Sequence, residues 1–228
     1  MSDMNRVAKL GSLLLSSALA LAFGATAANA QNTMAGAVKP MMTLQMPALP
    51  DPVPVKLDPR TTALLVLDYV DPICISQPKC KGEMLPKATA LMQQARKAGV
   101  TVAYGTRERT MAKWLPEVAP MAGDIKITNT AQDRFYNTDL DKALKAKGAT
   151  TIIIIGWKVS GSVAFTATGA NLRDFTVVVP VDTTAAATDY ETTIGFYNIL
   201  NQGETNLTNT PLKPKTVTLS RSDLITFQ

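Results

Sequence analysis

The chain alternates short apolar runs with segments that are apolar on one side only. Two runs, Ala63–Leu67 and Ile152–Ile155, are uniformly apolar, which is typical of central parallel strands covered on both faces. Pro86–Ala98 has one apolar face and is followed by Gly99, as expected of a helix. The same patterns predict strands at Val100–Thr106, Asp124–Thr130, Phe175–Val181 and Thr216–Leu219, and helices at Asp139–Lys147, from Ser162 onward, and at Thr188–Asn201. This order predicts an α/β fold with a parallel sheet and right-handed crossovers.

The first sixty residues do not follow this alternation. Arg6 and Lys9 precede an apolar run, Leu13–Phe23, and Ala28-Asn29-Ala30 has small residues at a cleavage-site spacing. Residues 1–30 are therefore predicted to be a secretory signal peptide cleaved after Ala30, and the protein is expected to be periplasmic or secreted by a bacterium. Residues 31–60 contain six prolines and are predicted to form an extended arm, laid against a neighbouring subunit or solvated. The remaining residues, 61–228, are expected to form one domain.

Composition excludes several classes of partner. The formal net charge of the full chain is +5, but its basic residues are spread out and only 6% of residues are aromatic, which argues against nucleic-acid binding. After the leader, no uninterrupted apolar run is long enough to cross a membrane. A small-molecule substrate or ligand is the expected partner, and no cofactor is predicted.

The two cysteines and the absence of histidine restrict the chemistry. In an exported protein Cys74 and Cys80, the only cysteines, most simply form a disulfide. A metal pair is the rival interpretation, but such sites usually need further nitrogen or sulfur ligands, and no metal site is predicted. Without histidine a Ser-His-Asp triad is impossible, so a carboxylate or a lysine would have to activate a serine.

Two polar residues follow apolar strands at the edge where ligands bind in open α/β sheets. Asp68 ends the first strand, and Ser162 follows the turn after the isoleucine strand. Each also has a structural interpretation. Asp68 could cap the following segment, and Ser160 or Ser162 could cap the next helix.

The order of several motifs is more specific than any one of them. The chain contains LLVLDYVDP (64–72), WLPEVAP (114–120), FYNTDL (135–140), GWKVSGSVAFTAT (156–168) and VVVPVD (177–182). This series resembles the isochorismatase-like superfamily of cysteine hydrolases. The resemblance implies a three-layer, Rossmann-like α/β fold of about six mostly parallel strands flanked by helices. It also implies a homo-oligomer, with a site at the carboxyl ends of the first, third and fourth strands.

Carried over position by position, the resemblance assigns the catalytic aspartate to Asp68. The family's lysine falls on Asn129 and its cysteine on Ser162. A cis peptide would join Trp157 to Lys158, and the backbone N–H groups of Lys158 and Ser162 would be the oxyanion-hole donors.

Two aromatic residues, Tyr69 and Trp157, are predicted to wall the substrate cavity, although either could be an ordinary core residue. The Cys74–Cys80 loop follows Asp68 and, if bridged, would form a rigid lid.

The departures from the family pattern change the expected mechanism. A serine hydroxyl is far less acidic than a thiol, so a carboxylate is a poor base for it. Loss of the lysine removes a charge that would stabilise ionised Asp68, which suits Asp68 to general-acid chemistry. Another cation could replace it; the candidates are Lys113, Lys126, Lys158 and Arg134. Of these, Lys158 is nearest to Ser162 in sequence and would restore an Asp-Lys-Ser arrangement if it turned inward.

The leading hypothesis is a hydrolase for a small amide, ester or vinyl ether, with Asp68 as acid/base, Ser162 at the oxyanion position and Asn129 orienting the substrate. The alternative is a catalytically inactive protein that binds a small molecule on the same scaffold.

Overall fold

The computed structural model describes residues 43, 45–46, 48–108, 113–202 and 204–228, so the predicted signal peptide, residues 1–30, lies outside the described residues. The described strands and helices belong to the compact unit Pro47–Gln228. Its strands are β1 Val55–Leu57, β2 Thr62–Leu67, β3 Val70–Asp71, β4 Thr101–Arg107, β5 Lys113–Trp114, β6 Ile125–Asn129, β7 Thr151–Trp157, β8 Thr176–Pro180, β9 Thr184–Ala185, β10 Val217–Ser220 and β11 Ile225–Phe227. Its helices are α1 Leu85–Lys97, α2 Leu140–Ala146, α3 Ala164–Asn171 and α4 Asp189–Leu200.

The main sheet has the strand order β10-β8-β7-β2-β4-β6, and β9 adds a two-residue seventh strand beside the end of β7. All of its pairings are parallel. The predicted α/β fold with mostly parallel strands flanked by helices is confirmed. The carboxyl ends of β2, β4, β6 and β7 therefore meet at one edge of the sheet.

The isoleucine strand β7 shows why the fold forms three layers. Ile152 and Ile154 belong to the hydrophobic cluster that contains residues of α2, α3 and α4. Ile153 and Ile155 belong to the opposite cluster, which contains residues of α1. Because successive side chains point to opposite faces, a run of four isoleucines supplies both cores at once.

Within the unit Pro47–Gln228, two parts of the predicted N-terminal arm bind to the rest of that unit. β1 pairs in parallel with β11, and the Asn209 side chain donates a hydrogen bond to the carbonyl of Asp51. Sequence reasoning did not predict this pairing, since three residues are too short to show a strand pattern.

A second pairing was also not predicted. The polar stretch Arg107–Pro120 has no strand or helix pattern, yet it contributes β5, which pairs antiparallel with β3. Residues 109–112 of that stretch lie outside the described residues. In the part of the chain that the structure describes, no helix is both long and apolar enough to span a membrane.

Candidate active site at the carboxyl edge of the sheet

Gly156 brings the ends of β2 and β7 into close contact. Its φ is +138°, and a Cβ on this residue would lie 1.9 Å from the carbonyl oxygen of Leu67. Only glycine fits a backbone approach this close. The turn after β7 therefore lies beside Asp68, the residue that follows Leu67.

The turn itself has the geometry that the resemblance implied. The peptide bond between Trp157 and Lys158 is cis, and the backbone then forms an irregular helical turn, Val159–Val163, in which Gly161 departs from helical dihedral angles. No side chain caps this turn or α3. The capping interpretation of Ser160 and Ser162 is therefore wrong.

The cation beside Asp68 is Arg134. Its side chain is fully buried, and Nη2 donates to Asp68 Oδ2 at 2.7 Å and to Ser162 Oγ at 3.1 Å. Nη1 donates to Asn129 Oδ1 at 3.0 Å. One guanidinium thus joins the three residues that occupy the family's catalytic positions. Of the four candidate cations, Arg134 is therefore the one that pairs with Asp68.

Local structure makes room for this arginine and fixes its backbone. A Cβ on Gly105 of β4 would lie 2.8 Å from Arg134 Cγ. The absence of a side chain at Gly105 therefore leaves space for that of Arg134. The Arg134 N–H donates to Thr166 Oγ1, and its carbonyl accepts from the Thr138 hydroxyl. A glycine inside an otherwise apolar strand is the sequence signal that could have indicated this close approach.

Asn129 holds the arginine rather than a substrate. It is buried, and its Nδ2 donates to the carbonyls of Asp133 and Tyr136 at 2.7 and 3.0 Å. Together with the contact to Arg134, these bonds occupy both ends of its amide. The expectation that Asn129 orients the substrate is therefore replaced by a positioning role.

Lys158 does not turn inward to Asp68. Its Nζ pairs with Glu191 Oε1, which also accepts a hydrogen bond from the Ser160 hydroxyl at 2.7 Å. The hydrogen bond from Lys158, and to a smaller extent that from Ser160, lowers the pKa of the Glu191 carboxyl below its ordinary value. Glu191 lies in the first turn of α4, so this helix holds Lys158 at the rim of the site.

Of the two predicted wall aromatics, only Trp157 lines the cavity beside Asp68. This cavity has a volume of about 220 Å³ and is lined by Asp68, Ile73, Arg107, Gln132, Trp157, Lys158, Gly161 and Ser162. Tyr69 is fully buried, and its hydroxyl donates to the carbonyl of Thr183 at 2.7 Å. Burial, aided by the charge of Asp182, raises the pKa of the Tyr69 hydroxyl well above its ordinary value. Tyr69 is a core residue because its side chain points into the sheet's hydrophobic cluster.

The predicted Cys74–Cys80 disulfide is present, with the two Cα atoms 5.2 Å apart. Ile73, which precedes Cys74, lines the cavity. The bridge therefore ties one wall of the cavity to the turn that leads into α1.

The arrangement defines what each group can do chemically. An arginine guanidinium remains protonated in proteins, so Arg134 supplies charge and hydrogen bonds but no proton. Asp68 can exchange a proton. Its Oδ1 is buried and has no hydrogen-bond partner among the described residues, whereas a buried oxygen normally has one. Among the described residues no donor uses this oxygen, so Asp68 keeps one acceptor in reserve.

Comparison with known proteins shows the family of this chain. Residues 62–210 match the isochorismatase domain family. A ureidoacrylate amidohydrolase of Caulobacter segnis is 25% identical over 161 residues, which cover 50% of this chain and 66% of that protein. A protein of Arabidopsis thaliana described as a probable inactive nicotinamidase is 25% identical, covering 63% of this chain and 90% of its own length.

Solved structures share the fold. An isochorismatase family protein of Burkholderia thailandensis has a TM-score of 0.62 at 18% identity, covering 76% of this chain and 96% of its own. N-carbamoylsarcosine amidase of Thermoplasma acidophilum has a TM-score of 0.59 at 23% identity, covering 72% of this chain and 97% of its own. The family match spans most of the chain, including Asp68, Asn129, Arg134 and Ser162, and we conclude that this protein belongs to the isochorismatase family.

Proposed function

We propose that the protein is an exported hydrolase of a small amide, ester or vinyl-ether substrate, and that Asp68, Arg134 and Ser162 form its reactive centre. One observation supports this most directly. The Arg134 guanidinium contacts both the Asp68 carboxylate and the Ser162 hydroxyl beside a cavity that Asp68 and Ser162 line.

For an amide or ester, Ser162 is the proposed nucleophile and Asp68 its base. A carboxylate alone is a poor base for a hydroxyl, and the hydrogen bond from Arg134 to Ser162 Oγ is what would offset this weakness. The Ser162 proton passes to Asp68 as Oγ attacks the carbonyl carbon, and Arg134 stabilises the negative charge that develops on Oγ. The backbone N–H groups of Lys158 and Ser162 are the proposed donors to the oxyanion. Asp68 then returns the proton to the leaving group, and water hydrolyses the acyl-enzyme.

For a vinyl ether, Asp68 would instead protonate carbon as a general acid. The structure supports the base role better, because Asp68 Oδ2 already accepts a hydrogen bond from a permanent cation. Amides and esters are therefore the first substrates to test.

A second candidate function is small-molecule binding without catalysis. Two altered catalytic positions favour it. Ser162 stands where the family has a cysteine, and Asn129 stands where the family has a lysine and accepts a hydrogen bond from Arg134. One relative in the family is itself described as a probable inactive enzyme.

A substrate panel separates the two functions. Purified protein is incubated with ureidoacrylate, N-carbamoylsarcosine, nicotinamide, short-chain esters and a vinyl ether, and products are followed by chromatography. Hydrolysis of any one that is abolished by Asp68→Asn and strongly reduced by Ser162→Ala supports the enzyme. Ser160→Ala is the matched control, since this serine belongs to the same turn but its hydroxyl binds Glu191. Binding without turnover in the wild type would favour the second function.

Export and assembly are tested separately. Cell fractionation should place the protein outside the cytoplasm with Gln31 as its first residue, and a cytoplasmic protein that retains residues 1–30 would contradict export. Sedimentation should show the homo-oligomer that we expect, and a monomer at micromolar concentration would contradict it.

A further inference from the structure

Helix α4 packs against residues 158–163, the oxyanion turn, which carries the proposed oxyanion-hole donors. Glu191 and Gly195 are four positions apart on this helix, so both lie on the same face. A Cβ on Gly195 would lie 2.8 Å from Val159 Cγ1 and 3.1 Å from the backbone nitrogen of Ser160. Glycine therefore lets α4 approach the turn more closely than a residue with a side chain would.

Glu191 attaches the first residue of the turn to α4. Its carboxylate pairs with Lys158 Nζ, and its own backbone N–H donates to the Thr188 hydroxyl at 3.1 Å. The Lys158 carbonyl in turn accepts hydrogen bonds from the N–H groups of Gly161 and Val163 at 3.0 and 3.3 Å. The turn thus folds around Lys158, and Glu191 holds that residue against the helix.

We propose that Glu191 and Gly195 are positioning residues for the oxyanion hole, because together they set where α4 holds the oxyanion turn. The described residues that line the catalytic cavity include neither of them, so they act through Lys158 and the turn. The catalytic consequence rests on the proposed function, in which the N–H groups of Lys158 and Ser162 stabilise an oxyanion. The placement of the turn itself does not depend on turnover.

This role should affect catalysis more than stability. The side chains of Glu191 and Lys158 are partly exposed, and an ion pair in contact with water contributes little to folding. An oxyanion donor, however, must lie about 2.7–3.1 Å from the oxygen that it stabilises. A misplacement of about 1 Å can lower a rate about 100-fold. A small displacement of the turn is therefore enough to impair the reaction.

Two variants of α4 test the proposal. Glu191→Ala removes the acceptor of Lys158, and Gly195→Ala adds a Cβ that the turn can accommodate only by moving. On any amide or ester that the wild type hydrolyses, each should lower kcat about 10- to 100-fold and change KM by less than about threefold. Glu191→Gln keeps an oxygen acceptor and should recover part of the lost kcat.

Asp189→Asn is the matched control. Asp189 belongs to the same first turn of α4, but its exposed carboxylate pairs with Lys79. Its removal should leave kcat within about twofold of the wild type. Urea denaturation confirms that each variant is folded.

A second measurement needs no substrate. The backbone amide resonance of Ser162, recorded by nuclear magnetic resonance, reports on the turn at a residue for which the structure shows no contact with Glu191 or Gly195. It should shift in Glu191→Ala and in Gly195→Ala, and it should stay in place in Asp189→Asn.

Two results would overturn the proposal: a Ser162 resonance that stays in place in both test variants, or a kcat that falls no further in them than in Asp189→Asn. If the wild type hydrolyses nothing in the substrate panel while the resonance shifts in both variants, the proposed hydrolase is overturned and the placement of the turn by α4 stands. Hydrolysis by the wild type with unchanged kcat in both variants would do the reverse.

Discussion

Two ion pairs lie at the same edge of the sheet and differ in their surroundings. In the Asp68–Arg134 pair the side chains are 4% and 0% exposed, and the guanidinium also binds Ser162 and Asn129. In the Lys158–Glu191 pair the side chains are 38% and 31% exposed. The first pair has been removed from water and the second has not.

The comparison shows why proximity in sequence is a poor guide to the catalytic cation. Lys158 is four positions from Ser162, yet it remains in contact with water at the rim. Arg134 is 28 positions from Ser162 and reaches its hydroxyl from a loop after β6. Burying a charge is costly unless each partner is satisfied, and the site provides several acceptors for Arg134. We expect the two pairs to differ strongly in their contribution to stability.

The largest expected effect comes from breaking the buried pair. Arg134→Met should lower the free energy of unfolding by about 3–5 kcal/mol, because it leaves the Asp68 carboxylate buried without its partner. Urea denaturation measures this. Lys158→Met is the matched control at the rim, and its cost should stay below about 1 kcal/mol. Equal costs for the two substitutions would contradict the comparison.

Removing the covalent link beside the cavity should have an intermediate effect. The double variant Cys74→Ala, Cys80→Ala should lower the free energy of unfolding by about 2 kcal/mol, the chain-entropy value for a small loop. Because Ile73 lines the cavity, we also expect ligand affinity to fall more than global stability. Unchanged affinity for a substrate or ligand identified with the panel above, measured by calorimetry, would show that the loop is not part of the binding site.

A loss of stability of similar size is expected when the support of Arg134 is weakened while its charge is kept. Asn129→Ala removes the acceptor of Nη1 and should cost about 1–3 kcal/mol, since a buried donor loses a partner. Asn198→Ala, at an exposed position of α4, should change stability by less than about 0.5 kcal/mol. Thermal denaturation compares them, and a cost for Asn129→Ala no larger than that of the control would argue against its positioning role.

The smallest change in the free energy of unfolding is expected for a substitution of Glu191, and this change depends on pH. The hydrogen bonds from Lys158 and Ser160 lower the pKa of this carboxyl in the folded protein. Its contribution is therefore present above the pKa of the unfolded state and is lost as pH falls through the lowered folded value. Glu191→Gln should cost less than about 1 kcal/mol at neutral pH, and the difference from wild type should vanish in acid. A difference that grows as pH falls would contradict this assignment.

Sequence reasoning predicted the fold better than the site, for physical reasons. Runs such as Ile152–Ile155 reveal their strand directly, because burial on both faces requires uniformly apolar residues. β1 and β3, at three and two residues, are too short to leave such a pattern.

At the site, Asp68 and Ser162 were predicted because each follows a strand that could be recognised. Arg134 was one of four candidate cations, and nothing local distinguished it, since its position depends on Gly105 of another strand and on Asn129. The sequence leaves Tyr69 open between the cavity wall and the core. The structure decides for the core: Asp68 has a φ of +54°, the chain turns there, and Tyr69 is fully buried.

The central claim is that Arg134 is the charge partner of Asp68, and a double-mutant cycle tests it most directly. The free energies of unfolding of the wild type, Asp68→Asn, Arg134→Met and the double variant give the coupling between the two side chains. We predict a coupling of at least about 2 kcal/mol, as expected for a close, desolvated charge pair. Effects that add to within about 0.5 kcal/mol would show that the two residues do not interact and would contradict the account.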